Sequence, residues 1–185
     1  MPAGKTEAVV LRDDGAIPNN PDLPLIVHRG AVPGEGGRAA AFERLFARNG
    51  WGGGWRDSIF PYHHYHSTAH EALGIAAGHA TVQFGGEGGV ILEVAAGDAV
   101  VIPAGVGHKN LGSSADFLVV GAYPAGQTPD MNTGKDDERA RALEAIRRVP
   151  LPAMDPVYGP DGPLVERWGR GQVSPPAPPP PRSCR

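Results

Sequence analysis

The chain has 185 residues, with 17 Lys and Arg against 20 Asp and Glu and a formal net charge of −3 at pH 7. That length suits one domain with a sizeable core. The weakly acidic balance, with no long block of Lys or Arg, argues against nucleic acid or an anionic membrane surface as the main partner. No stretch reaches the roughly 20 apolar residues that span a bilayer, and the N-terminus lacks the apolar run of a secretion signal. The single cysteine, Cys184, leaves no internal disulfide and no thiolate-built zinc site. The chain reads as soluble and cytoplasmic.

Most of the 27 glycines and many of the 20 prolines fall between apolar, β-rich runs, where turns are needed. Residues 8–11 form a short strand candidate ahead of a turn at 13–15. Residues 23–28 form another, and Pro24 suggests an edge position. The pattern then changes over 38–48, where Phe42, Leu45 and Phe46 fall at helical spacing and Asn49 and Gly50 make a stop signal. From Trp55 to Tyr123 the chain reads as short strands at 54–60, 62–66, 71–77, 79–84, 90–95, 99–103, 108–111 and 116–122. A glycine-rich hairpin connection lies between 84 and 90. About eight strands with such short links predict an all-β antiparallel sandwich or barrel rather than alternating βα units. A second helix is expected over about 136–148. Leu143, Ile146 and Val149 would be its buried stripe, with acids at its start and Arg147 and Arg148 at its end, to suit the helix dipole. Residues 151–168 read as irregular but apolar enough to pack back on the barrel. The Pro-rich stretch that closes the chain, over 169–185, has nothing to bury and is expected to be a disordered, extended tail.

Histidine carries the functional signal. Five of the seven histidines lie between positions 63 and 79, and His108 follows about forty positions beyond the densest part of that cluster. Histidine is the commonest side-chain metal ligand, and such crowding has few other uses. Side chains two apart on a strand share a face. His64 and His66 would therefore point one way, and His63 and Tyr65 the other. If a strand starts near Glu71, its inward set is Glu71, Leu73, Ile75 and Ala77.

Two gapped motifs then give a resemblance. His64-x-His66-x4-Glu71-x6-Gly78 fits the His-to-Gly part of the first motif of the cupin superfamily. Gly97-x5-Pro103-x-Gly105-x2-His108 fits most of the second. Ser58 replaces the leading glycine of the first motif. Gly112 stands where the second expects Asn, and Asn110 lies two residues early. The chain thus resembles a small single-domain bacterial cupin. The resemblance implies a cupin-type double-stranded β-helix, a jelly-roll barrel over about 54–124 with two flanking helices, in one domain over 1–168. It also implies one divalent metal ion held by His64, His66, Glu71 and His108, and the dimers that cupins often form by exchanging N-terminal segments, here residues 5–30. His70 competes with Glu71 as the fourth ligand, since strand alternation lets only one of them face inward.

Beyond the ligands, Tyr62, Arg56 and Asn110 have the parity to reach the pocket. Arg56 could clamp a substrate carboxylate, and Tyr123 is a rim candidate. His63 and His79 read as supporting or surface residues, and His28 as structural. No catalytic residue is assigned. Imidazole and carboxylate donors suit Fe(II), Mn(II) or Ni(II), with Zn(II) or Co(II) as alternatives. If the ion is octahedral, two positions stay open for a small-molecule ligand. The expected function is a metalloenzyme on a small polar or carboxylated molecule, dioxygenase-like first. Isomerase, epimerase or decarboxylase chemistry, or a non-catalytic metal- or metabolite-binding module, are the alternatives. No nucleic acid or membrane partner is expected, and a homodimer fits.

Overall fold

A computed structural model of the chain describes residues 5–34 and 36–169. The Pro-rich tail from position 170 on, with Cys184, lies outside the described residues. Strands β1 (Thr6–Leu11) and β2 (Asn20–His28) lead into helix α1 (Arg38–Arg48). Seven strands follow: β3 (Trp51–Asp57), β4 (Glu71–Ala77), β5 (His79–Phe84), β6 (Val90–Ala95), β7 (Ala99–Ile102), β8 (His108–Ser113) and β9 (Leu118–Pro124). Helices α2 (Asp136–Ile146) and α3 (Pro163–Gly169) close the described chain. The larger sheet has the order β1-β2-β7-β4-β9-β3 and the smaller β6-β5-β8, with every ladder antiparallel. This is the expected all-β jelly roll. β1 and β2, which precede the 54–124 stretch, form one flank of the larger sheet. β1 pairs with β2, and β2 with β7, within the one chain.

Alternation along each strand builds the core between the sheets. Leu73 and Ile75 of β4 and Val100 and Ile102 of β7 meet Val82 and Phe84 of β5 and Val94 of β6. The intervening residues are apolar too. Ala72, Ala76, Ala99 and Val101 cluster with Phe42 and Phe46 of α1 and with Leu164 and Trp168 of α3. The central strands are therefore covered on both faces, which is why they read as continuous apolar runs. Each fully buried large side chain contributes about 1.5–3 kcal/mol. Gly74 has a packing reason: a Cβ there would run into the Phe42 ring, so glycine lets α1 lie close on the sheet. Gly78 has a conformational one, turning β4 into β5 at φ +67°.

Four expectations are corrected. Residues 62–66 are not a strand. His64 and Tyr65 make only isolated bridges, His64 to His108 of β8 and Tyr65 to Asn132 in the loop after β9, so the segment is divided between two partners and builds no ladder. Pro24 is not in an edge strand. β2 lies between β1 and β7, and Pro24 falls where the β1 ladder jumps from Leu25 to Asn20, beyond the β7 pairing. A third helix, α3, stands in the stretch read as irregular. Pro163 opens it, and Leu164 and Trp168, four apart, are its buried stripe. Finally, α2 ends at Ile146 and fully buries only Ala142, against Ile17 and Tyr65, while Leu143, Ile146 and Val149 are half-buried. Glu138 accepts hydrogen bonds from the backbone N–H of Thr133, Gly134 and Lys135, which fixes the start of α2.

Candidate metal centre

One end of the barrel holds a cavity of about 250 Å³. Three elements supply its floor. The connection from β3 to β4 brings His64 and His66, β4 opens with Glu71, and β8 opens with His108. The backbone joins two of these directly: His64 N–H donates to the His108 carbonyl at 3.3 Å, and His108 N–H returns a bond at 3.0 Å. All four side chains are buried, the most exposed being His66 at 7%.

The imidazoles are oriented by what their far nitrogens touch. Nδ1 of His64 lies 3.3 Å from the Tyr62 carbonyl, and Nδ1 of His108 lies 3.3 Å from that of Val106. Nδ1 of His66 meets the Asp130 carbonyl. A carbonyl only accepts, so each partner assigns the ring proton to Nδ1 and leaves the Nε2 lone pair for the cavity. The cavity-side nitrogens of the three rings lie within 4.8 Å of one another. Glu71 Oε2 lies 3.3 Å from His108 Nε2 and 3.5 Å from His66 Nε2. Two donors each about 2.1 Å from a common ion sit roughly 3.0–3.4 Å apart, so these spacings suit metal ligation.

Electrostatics lead to the same fit. Glu71 Oε2 is buried and accepts no hydrogen bond. A buried carboxylate facing three nitrogen lone pairs is costly unless a cation lies among them. Burial alone would raise the Glu71 pKa. With no cation present, Glu71 is held below the usual carboxylate range only where His108 or His66 turns a protonated Nε2 towards it, which raises the His66 pKa in turn despite burial; a bound cation would take the place of that proton. Burial, helped by His108, pushes His64 down to about 3, so this ring stays neutral and able to ligate. The residues present fit a divalent cation.

The competition between neighbours resolves by alternation. His70 points away from the cavity, under α3. Its Nδ1 accepts the Ala104 N–H at 2.9 Å, and its ring packs 4.7 Å from that of Trp168. Burial drives its pKa down to about 4. Leu73 lies beyond Glu71 in the cavity wall, two residues on, as the strand period requires. Arg56 reaches the rim, but its Nε and terminal nitrogen donate to the two Glu43 oxygens at 2.6 and 2.7 Å. Ser58 is also part of the wall.

Two expectations fail here. Tyr62 does not line the cavity. It is 46% exposed and stacks on Phe60 at 5.1 Å, because its segment is not a strand and the period-two argument does not hold there. Asn110 sits opposite Val82 in the register, yet it does not line the cavity either. Its side chain folds back, accepting the Gly112 N–H at 2.9 Å and donating to Ser113 Oγ at 3.2 Å. Among the other histidines, His63 lies 3.4 Å from a Glu87 oxygen, His79 is exposed, and His28 is buried beside Asp155.

Several residues of the site carry no sequence signal. Asp130, in the loop after β9, holds His66 through its carbonyl, and its carboxylate accepts from Ser67 N at 2.6 Å, Ser67 Oγ at 2.5 Å and Asn132 Nδ2 at 2.8 Å. Trp55, Ile59, Phe60 and Met131 supply walls and mouth. Tyr123, by contrast, is the expected rim candidate; it lines the cavity from β9 rather than from beyond the last strand. Its hydroxyl accepts the Trp55 Nε1–H at 2.9 Å, and its ring edge meets His66 at 5.8 Å. Burial, reinforced by the Glu71 carboxylate beside it, pushes its pKa up, so the phenol stays protonated next to the ligand cluster.

No protein-family model matches the chain. It is 50% identical over 164 residues to the uncharacterized protein YjlB of Bacillus subtilis (strain 168), which covers 89% of this chain and 97% of that protein. Among solved structures it aligns with acireductone dioxygenase from Bacillus anthracis, a structure with a cadmium ion in its active center. That alignment has 18% identity and a TM-score of 0.37, over 50% of this chain and 63% of the dioxygenase, just under two thirds of its length. It also aligns with the dTDP-6-deoxy-D-glucose-3,5-epimerase RmlC from Legionella pneumophila at 16% identity and a TM-score of 0.37, over 65% of this chain and 72% of that one.

Proposed function

This chain belongs to the same family as YjlB of Bacillus subtilis and folds as an antiparallel jelly roll, and from that premise we propose that it is a cupin-type, metal-dependent enzyme acting on a small molecule, dioxygenase-like in its chemistry. His64, His66, His108 and Glu71 would hold one divalent ion, with iron, manganese or nickel ahead of zinc or cobalt. The observation that carries this reading is the Glu71 oxygen, buried without a hydrogen-bond donor opposite imidazoles whose Nδ1 atoms face backbone carbonyls. Bound there, the ion would supply Lewis-acid polarisation and open positions for substrate and O2.

The remaining roles fall to the protein. The Asp130 carbonyl holds His66 in the ligating tautomer, and the Asp130 carboxylate ties that loop to Ser67. Tyr123, kept protonated by burial, offers its hydroxyl proton to an oxygen of the bound ligand. Ile59 and Leu73 exclude water from the floor. Oxygen consumption by the anaerobically Fe(II)-loaded protein, measured across a metabolite panel, tests the reading. Uptake with at least one substrate is expected. No uptake, together with a ligand recovered unchanged after long incubation, would overturn the dioxygenase assignment and mark a binding module.

A further inference from the structure

The walls of the cavity differ in chemistry from its floor. Beside the four polar side chains stand Trp55 and the buried Ile59 and Leu73, with the half-exposed Phe60 and Met131 at the mouth. Phe60 and Met131 are 42% and 49% exposed, so much of their apolar surface faces solvent where a ligand would enter. Among the described residues lining the cavity, Arg56 is the one cationic side chain, and Glu43 engages it at two nitrogens. Asp57 adds a negative charge at the same edge. A ligand with a second anionic group would meet Asp57 and have to displace Glu43 from Arg56. A ligand with an uncharged body would instead cover aromatic and thioether surface.

Resting on the metal-centre reading, we infer that the ligand is a small amphiphile: one anionic, oxygen-bearing chelating head and an uncharged aromatic or branched-aliphatic body. The head lies towards the histidines, where the Tyr123 hydroxyl donates to it. The body lies against Trp55, Phe60 and Met131. The cavity, about 250 Å³, falls just under the roughly 300–1,000 Å³ of drug-sized sites, which sets the ligand at metabolite size.

A series with one head and four bodies tests this: pyruvate, 4-methyl-2-oxopentanoate, phenylpyruvate and 2-oxoglutarate. The full chain is loaded with Co(II) under nitrogen, its metal content is measured, and each affinity is read by calorimetry. The branched and aromatic acids are expected to bind about ten-fold or more tighter than pyruvate, the usual gain for an apolar group entering an apolar pocket. 2-Oxoglutarate is expected to bind no tighter than pyruvate. Phe60→Ala and Met131→Ala, at half-exposed positions, should each cut the aromatic preference about three-fold by removing apolar contact while metal content stays at the wild-type level. With one cobalt bound per chain, equal affinities, no binding of any of the four, or tightest binding of 2-oxoglutarate would overturn this inference and leave the metal centre standing. A protein that takes up no cobalt would overturn both.

Discussion

The molecule buries histidine against carboxylate in two places, and the two carboxylates are surrounded differently. His28 and Asp155 face each other at 3.1 Å with no exposed side-chain surface. Asp155 is saturated with donors: its oxygens accept the backbone N–H of Val157 at 2.8 Å, Tyr158 at 3.0 Å and Leu164 at 3.0 Å. That carboxylate ties the 155–164 loop and the start of α3 to β2. Glu71 is as deeply buried, yet its Oε2 has no hydrogen-bond donor and looks at imidazoles whose Nδ1 atoms face backbone carbonyls. Burial and a His partner are common to both sites. What separates them is whether the carboxylate already has its hydrogens.

The largest difference should appear on deleting a ring. His108→Ala is expected to lose nearly all bound metal while the far-UV circular dichroism stays that of the wild type. His28→Ala is expected to keep one metal per chain and to lower the melting temperature. Metal retained by His108→Ala would shift the assignment towards other residues and break the distinction.

Asp155→Ala comes next. Removing one member of a buried histidine–carboxylate pair typically costs about 3–5 kcal/mol, and for a chain of this size that is roughly 6–20 °C in melting temperature. Metal content per folded chain should not change. A fall of less than about 2 °C would sink the structural role of this pair.

The same carboxylate sets a pH dependence. Burial alone would raise the Asp155 pKa, but His28 and the backbone donors more than offset this and hold it below its ordinary value. A depressed folded pKa contributes stability that is present above the unfolded value of about 3.9 and lost as pH falls through the folded one. Wild-type stability should therefore drop below about pH 4, and Asp155→Asn should flatten that drop, starting from a lower plateau. Parallel curves for the two proteins in denaturant titrations would contradict the assignment.

The smallest effect concerns the shell around the centre. Asp130→Ala frees the loop that holds His66 and should weaken metal binding by about 10- to 100-fold without abolishing it, as outer-shell losses usually do. Unchanged affinity in a competitive chelator titration would mean that the backbone carbonyl alone suffices.

Much of this contrast is legible in the amino-acid sequence. The convergence of His64, His66, Glu71 and His108 follows from two spaced motifs, and strand alternation frames the choice between Glu71 and His70. The strand run over 71–84 is readable because each strand is short, apolar and punctuated by glycine. What stays hidden depends on partners far away in sequence. Asp130 meets His66 and Ser67 across more than sixty positions, and no local pattern announces it. α3 escapes a periodicity argument because it has seven residues, and the carboxylate that accepts its Leu164 N–H sits nine positions upstream. The 62–66 segment, rich in aromatic and imidazole rings, has the composition of a strand, but its backbone bonds are split between His108 of β8 and Asn132 in the loop after β9. Tyr62 consequently turns outward and Tyr65 turns into the cluster under α2.

The most direct measurement is anomalous diffraction at the manganese edge from crystals of the full chain grown with Mn(II). The account predicts a single strong peak within about 2.1–2.3 Å of Nε2 of His64, His66 and His108 and of a Glu71 oxygen. No peak at that cluster with manganese present, or a peak coordinated instead by His63 or His70, would contradict it.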